Sequence, residues 1–245
     1  MKTLILDIET SPNLAHVWGL FNQNVALNQL QEATRVLCFA AKWADSRKVL
    51  FHSEYADGHM GMLESAWDLL NQADAVVGWN SQSFDAKHLN AEFFTEHMNE
   101  PSPYKHIDLM RTVKSKFRFP SNKLDYVGGV ADVGHKVKHE GHGLWVSCLN
   151  GDPKAWKRME KYNRGDVVLT DSLYWRLLPW ISNHPNIGLY NPKDEDQCPN
   201  CGSGSLRKQG FYTAETGRYQ RYQCTLCGRW SRSTTRETSV KIRGI

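Results

Sequence analysis

A mixed α/β sheet covered by helices, followed by a small metal-stapled module, is the fold class that three observations predict. Strand patterns come first along the chain, then alternate with helical ones, then give way to helices before residue 181. Four of the six cysteines fall in two Cys-x-x-Cys pairs near the C-terminus, which is metal spacing rather than a disulfide framework. At 245 residues, 40% apolar and 23% charged, the chain can bury one substantial core and still carry an appendage.

The elements follow in order. TLILDIE (3–9) reads as a buried opening strand, and its alternation sets Asp7 and Glu9 on one face. MKTLIL starts like a secretory signal, but Asp7 interrupts the apolar run early and no small-residue cleavage site follows. No stretch reaches the length of a membrane span, so a cytoplasmic protein with no membrane partner is expected. Residues 36–44 and 48–55 read as strands, antiparallel neighbours across an Asp45–Arg47 turn. Residues 59–73 carry a helical stripe through Met62, Ala66, Leu69 and Leu70, and AVVGW (75–79) is a short buried strand. A helix is expected from about Phe84, with Leu89, Phe93, Phe94 and Met98 as its apolar positions, ending before Pro101. Residues 106–117 and 122–131 read as two shorter helices flanking a basic loop. Asp152 followed by Pro153 is a helix start, and the pattern runs towards Trp180 with a break expected near Gly165. Residues 182–197, rich in Pro, Asn and Asp, read as a linker, which divides the chain into 1–181, 182–197 and 198–245.

Three separated segments hold the residues that carry chemistry. Asp7 and Glu9 interrupt an apolar strand, where carboxylates are expensive to bury unless paired or bound to metal. Asp85 follows Asn80 and Phe84 at a strand-to-helix junction, where an acid could also serve only the helix dipole. Tyr162 and Asp166 are four apart and share one face of a helix. Scattered carboxylates gathered by a fold suit Mg²⁺ or Mn²⁺, which take hard oxygen ligands.

Taken together, LILDIET, GWNSQSFD and YNRGDVVLT resemble, in this order, the three motifs of 3′–5′ exonucleases with a ribonuclease-H-like fold, in the DEDDy subgroup whose third motif carries tyrosine. The resemblance covers residues 1–181 and is nearest to stand-alone domains related to the proofreading domain of family-B DNA polymerases, which are frequent in bacteriophage and bacterial genomes. It implies a ribonuclease-H-like mixed sheet flanked by helices, and two Mg²⁺ or Mn²⁺ held by Asp7, Glu9, Asp85 and Asp166. It also implies that Asp85 serves the second metal largely through water, that Asn80 and Phe84 hold the substrate end, and that Tyr162 hydrogen-bonds the attacking water or the scissile phosphate. The implied reaction is in-line hydrolysis releasing 5′-mononucleotides, with single-stranded DNA favoured as substrate. If the gene is phage-borne, the compartment is the host's cytoplasm. Two other readings stay open: an exoribonuclease with the same site, and a non-catalytic nucleic-acid-binding or scaffold protein.

CPNCGSG (198–204) and CTLCGRW (224–230) form two Cys-x-x-Cys-Gly knuckles, each able to place two thiolates on one metal. Cys198, Cys201, Cys224 and Cys227 are therefore assigned to one structural Zn²⁺, and the module resembles a zinc ribbon. Residues 198–245 hold nine Lys and Arg against Glu215 and Glu237, a net +7 in a chain whose total is +4. Four thiolates on Zn²⁺ would reduce that tail to about +5. Phe211, Tyr212, Tyr219, Tyr222 and Trp230 interleave with the arginines. Such composition suits nucleic acid, although the rings could form a small core, and a ribbon could equally dock a replication or repair protein.

The remaining features are less specific. Lys105, Arg111, Lys114, Lys116, Arg118 and Lys123 could guide a nucleic-acid backbone or form a solvated face. His135, His139 and His142 have spacing that could bind a metal but are expected in a mobile loop over the active site, and Asp108 resembles a recurrent acid of that family or simply caps the following helix. Cys38 and Cys148 are expected as buried thiols.

Overall fold

The computed structural model describes residues 1–192 and 195–243. Its centre is strand β1 (Thr3–Thr10), followed by a short pair, β2 (Leu14–Ala15) and β3 (Leu30–Glu32), then β4 (Val36–Trp43) and β5 (Leu50–Ser53). Helices α1 (Glu54–Asp57) and α2 (His59–Gln72) precede β6 (Ala75–Gly78), α3 (Asp85–Thr95) and β7 (Lys105–Asp108). Helices α4 (Leu109–Lys116), α5 (Leu124–Val130), α6 (His142–Leu149) and α7 (Pro153–Leu177) complete the first part. Strands β8 (Leu206–Thr213), β9 (Gly217–Cys224) and β10 (Trp230–Ser239) form a separate antiparallel sheet.

The five-stranded sheet runs β5-β4-β1-β6-β7. β4 pairs antiparallel with both β1 and β5, whereas β6 runs parallel to both β1 and β7. Period-two alternation divides β1 between two cores. Leu4, Leu6 and Ile8 pack with Met62, Leu63, Ala66 and Leu70 of α2 and with Leu89 and Phe93 of α3. Ile5 packs on the opposite face with Val167, Leu173 and Leu177 of α7. Asp7 and Glu9 share the parity of Ile5, so the apolar face that docks α7 turns acidic at its C-terminal end.

Four elements depart from the sequence expectation. The strand 48–55 stops at Ser53, whose hydroxyl accepts from the Ala56 N–H and starts α1. Residues 105–108 form β7 rather than a helix start, because parallel pairing with β6 recruits them and only Ile107 is fully buried in the core. Phe94 is 84% exposed rather than an inward-facing residue of α3. Helix α7 runs unbroken through Gly165, and the glycine serves the neighbouring loop: a Cβ there would meet Val137 Cγ2 at 2.7 Å.

The expected linker carries a 3-10 turn at Ile187–Leu189, and the ribbon it leads to docks on the end of α7. Helix C-termini leave carbonyls without partners. Here Asn200 Nδ2 donates to Leu178 O at 2.8 Å and Arg229 Nη1 to Pro179 O at 3.0 Å. Cys201 and Cys227 pack against the same core as Leu177 and Leu178. Cys38 and Cys148 are buried as expected, and burial pushes the Cys148 thiol up to about 11. Among the described residues no helix is long and apolar enough to cross a membrane. Because Asn200 is 2% exposed, Asn200→Ala should strand a buried carbonyl and cost about 1–3 kcal/mol. Chemical denaturation of the zinc-loaded protein measures that loss, and an unchanged midpoint would show the dock to be energetically idle.

Candidate active site and metal centres

The acidic end of β1 faces the middle of α7. Asp7, Glu9 and Asp166 each bring a carboxylate oxygen within 4.8 Å of the others, although Asp166 is more than 150 residues away in sequence. Asn163, fully buried three residues before Asp166, donates through Nδ2 to Asp7 Oδ2 at 2.8 Å and Asp7 O at 3.2 Å. It fixes the rotamer of Asp7 from the same helix that supplies Asp166. Asp85 sits at the first position of α3 and is 3% exposed. Its Oδ1 accepts from the Ile8 N–H at 3.0 Å, placing it beside Asp7 but outside the close trio.

Crowded burial raises every one of these acids. Asp7 is held well above the usual carboxylate range by burial first, then by the charges of Asp85, Glu9 and Asp166. Burial, followed by the charge of Asp166, lifts Glu9 to about 8. Burial lifts Asp85 to about 7 against the Ile8 N–H bond, which favours the anion. Asp166 is also raised, chiefly by burial, with Lys136 opposing.

Lys136 is the residue that sequence reasoning missed. It belongs to the loop before α6 and reaches Asp166 Oδ2 at 2.6 Å. Its ammonium also lies 4.8 Å from the centroid of the Tyr162 ring and hydrogen-bonds that residue. Burial alone would lower this lysine, but the charge of Asp166 and the hydrogen bonds outweigh it and hold it above the ordinary range. The only trace it leaves in the sequence is the mid-helix Gly165, which in the structure makes room for the neighbouring Val137. The His139 ring lies 4.5 Å from that of Tyr162 at a tilt of 59°, and with Lys136 on Asp166 this brings the histidine loop against the acids. Among the described residues, His135, His139 and His142 form no metal-binding group; His135 instead bonds Asp125 at 3.1 Å.

Tyr162 is 6% exposed, and burial, then the charges of Glu9 and Asp166, raise its phenol, so it stays protonated. Asn80 and Phe84 lie on the turn entering α3 rather than in the acid trio. Asn80 takes a left-handed backbone (φ 62°) and donates its N–H to Asp108 Oδ1 at 3.1 Å. Phe84 is 39% exposed against His88. Asp108 also accepts from Gln82 N at 3.3 Å and caps α4 through Arg111 N at 3.2 Å, so this acid holds the turn. Of the basic run, Arg111 bonds Gln82, while Lys105, Lys114, Lys116, Arg118 and Lys123 are exposed or partly exposed.

Both clusters fit cations. Asp166 Oδ1 is buried with no hydrogen-bond partner among the described residues, an oxygen that could take a cation, and the trio is all-oxygen, as Mg²⁺ and Mn²⁺ prefer. In the ribbon, Cys198 Sγ lies 3.6 Å from Cys227 Sγ, and Cys201 Sγ 3.6 Å from Cys224 Sγ. Four sulfurs about 2.3 Å from a tetrahedral Zn²⁺ would stand about 3.8 Å apart. Burial opposes ionisation of Cys224, yet the N–H groups of Cys227 and Leu226 and the neighbouring thiols outweigh it and bring Cys224 to about 7.

The RNase_H superfamily model (RNase_H_2) matches residues 4–178. Among solved structures, the family B DNA polymerase from the hyperthermophilic archaeon Pyrobaculum calidifontis is similar with a TM-score of 0.56 and 18% identity. The likeness covers 73% of this chain, which spans only 24% of that polymerase chain. No curated protein matches the chain.

The raised carboxylates set a pH dependence. Their folded values lie above the unfolded ones of about 4, so the folded state binds more protons between them. Without divalent cation, this contribution should make stability fall as pH rises from about 4 through about 8. Melting temperatures at pH 6 and pH 8.5, with and without added Mn²⁺, test this. Mn²⁺ should stabilise more at pH 8.5, where the acids are ionised; equal gains at both values would count against a shared carboxylate site.

Proposed function

This chain belongs to the RNase H superfamily, and we propose that it is a metal-dependent 3′–5′ exonuclease acting on single-stranded DNA. The observation that carries the reading is the gathering of Asp7, Glu9 and Asp166 within 4.8 Å, with a buried Asp166 oxygen unpaired among the described residues. The order of the three motifs, and a fold likeness to a family B DNA polymerase, support the same direction. We further assign the nuclease to residues 1–181, a connecting segment to 182–197, and a Zn²⁺-binding ribbon built on the four cysteines to 198–245.

Asp7, Glu9 and Asp166 would hold one Mg²⁺ or Mn²⁺, and Asp85 with Asp7 a second. When bound, such a pair makes a water nucleophilic at neutral pH and stabilises the charge that develops on the attacking and leaving oxygens. The protein's part is placement. Asn163 orients Asp7, and the Ile8 N–H orients Asp85. Tyr162, kept protonated, accepts from Lys136 and has its own O–H to donate, so it orients the water or the scissile phosphate and does not act as base. Lys136 keeps a full positive charge beside Asp166 and can shift it to a phosphate oxygen as the strand enters. Asn80 and Phe84, on the turn held by Asp108, would receive the terminal nucleotide, with Phe84 offering its exposed ring.

A gel time course on 5′-labelled single-stranded DNA with Mn²⁺ tests the proposal. A ladder shortening from the 3′ end is expected, absent in Asp166→Ala. Tyr162→Phe should slow it by about 10²-fold, the cost of one lost donor to the reacting group. Full activity in Asp166→Ala would sink the site assignment, and cleavage confined to RNA would move the substrate.

A further inference from the structure

The ribbon's aromatic rings have no core to fill. Among its described residues, only Cys198, Asn200, Gly217 and Cys224 are buried, whereas Tyr212 is 48% and Trp230 43% exposed. Register shows where these rings point. Tyr219, Arg221 and Gln223 alternate along β9 and therefore share a face. Opposite them stand Tyr212 and Arg236 (both facing Tyr219), Arg232 (facing Arg221) and Trp230 (facing Gln223). With Arg207, which also faces Gln223, one face thus gathers three rings and four arginines.

The guanidinium groups lie on the rings. Arg232 sits 4.0 Å from the Tyr219 centroid and 5.2 Å from that of Tyr212, while Arg221 sits 4.8 Å from that of Trp230. Stacking holds each fork flat, and although Arg221 Nε donates to Gln209 O at 2.9 Å and Arg232 Nη1 to Ser233 O at 3.3 Å, the five N–H groups of a guanidinium leave further donors that can meet phosphate. Arg221 and Arg232 are also directly opposed across the strands, an arrangement that is unfavourable without a counter-charge. None of the positions paired across this face is acidic, and the ribbon's Glu215 is engaged elsewhere by Arg243. Phe211 and Arg218 form a single such pair on the opposite face.

We propose that this face is an anchoring site for single-stranded nucleic acid, separate from the carboxylate cleft, with phosphates on the arginines and bases on the rings. Exposed rings favour a single strand, because a duplex buries its base faces in its own stack. The anchor holds the strand whose 3′ end is cut, a clause that rests on the exonuclease reading; the binding itself does not.

Fluorescence anisotropy on the full-length, zinc-loaded protein without Mg²⁺ or Mn²⁺ tests the anchor, using oligothymidylates of about 30 and about 5 nucleotides. The longer strand should bind more tightly. Tyr212→Ala with Trp230→Ala should weaken that binding by about tenfold or more, collapsing the preference for length. Arg221→Gln with Arg232→Gln should reduce the slope of log affinity against log salt by about 1.4, two phosphate contacts on a single strand. If both variants keep one zinc per chain yet match the parent in affinity and salt slope, the anchor is refuted and the face belongs to a protein partner. Ring-dependent binding by a parent protein that cleaves nothing keeps the anchor and removes the exonuclease. Cleavage with ring-independent binding does the reverse.

Discussion

Packing α7 against β1 forces Asp166 onto Asp7 and Glu9, and that repulsion is the constraint on which the rest of the site depends. Like charges a few ångströms apart and out of water cannot all ionise unless something positive joins them. The protein supplies two partial answers from its own atoms. Asn163 neutralises nothing but removes the freedom of Asp7, and Lys136 places one ammonium against Asp166. Further along the same interface, Lys42 of β4 meets Asp171 of α7 at 2.6 Å, a paired charge that ties the helix to the sheet beyond the acids. One lysine against four raised carboxylates leaves the cluster short of positive charge. A divalent cation held by these acids would make good that deficit.

The fold holds this unfavourable cluster together because apolar burial lies on both sides of it. Ile5 begins the same face of β1 and is sealed under α7, while Leu4, Leu6 and Ile8 are sealed under α2 and α3. Burying side chains of this size contributes about 1.5–3 kcal/mol each. Several such residues can offset acids that would prefer water, and the strand cannot slip by one residue without exchanging its acidic and apolar faces.

What could be read from residues alone follows the range of the interactions involved. β1 and α2 carried their periodicity locally, and the cysteine knuckles carried their spacing, so each was legible. β7 was not, since KHID acquires its strand from pairing with β6, a tertiary decision. Gly165 was misread for the same reason: intrinsic propensity argues for a break, whereas the close approach of Val137 explains the glycine inside an intact helix. Lys136 could not be found by motif because its partner is thirty positions away and its role appears only once the acids converge. Ring burial in the ribbon was likewise undecidable, since the two outcomes share one composition.

Helix α7 joins the two halves of the chemistry. Its middle carries Tyr162, Asn163 and Asp166, and the carbonyls just beyond its end are capped by Asn200 and Arg229 of the ribbon. From Asp166 to Leu177 the helix rises about 16 Å at 1.5 Å per residue. The four-cysteine module is therefore held at a set distance from the acids by one rigid element rather than swinging on a tether. At about 3.4 Å per stacked nucleotide, that rise alone corresponds to roughly five nucleotides between cleft and ribbon. A strand shorter than this would engage the acids without the arginines. Selectivity for length would then come from the spacing built into α7, with no change in the residues that touch the reacting phosphate.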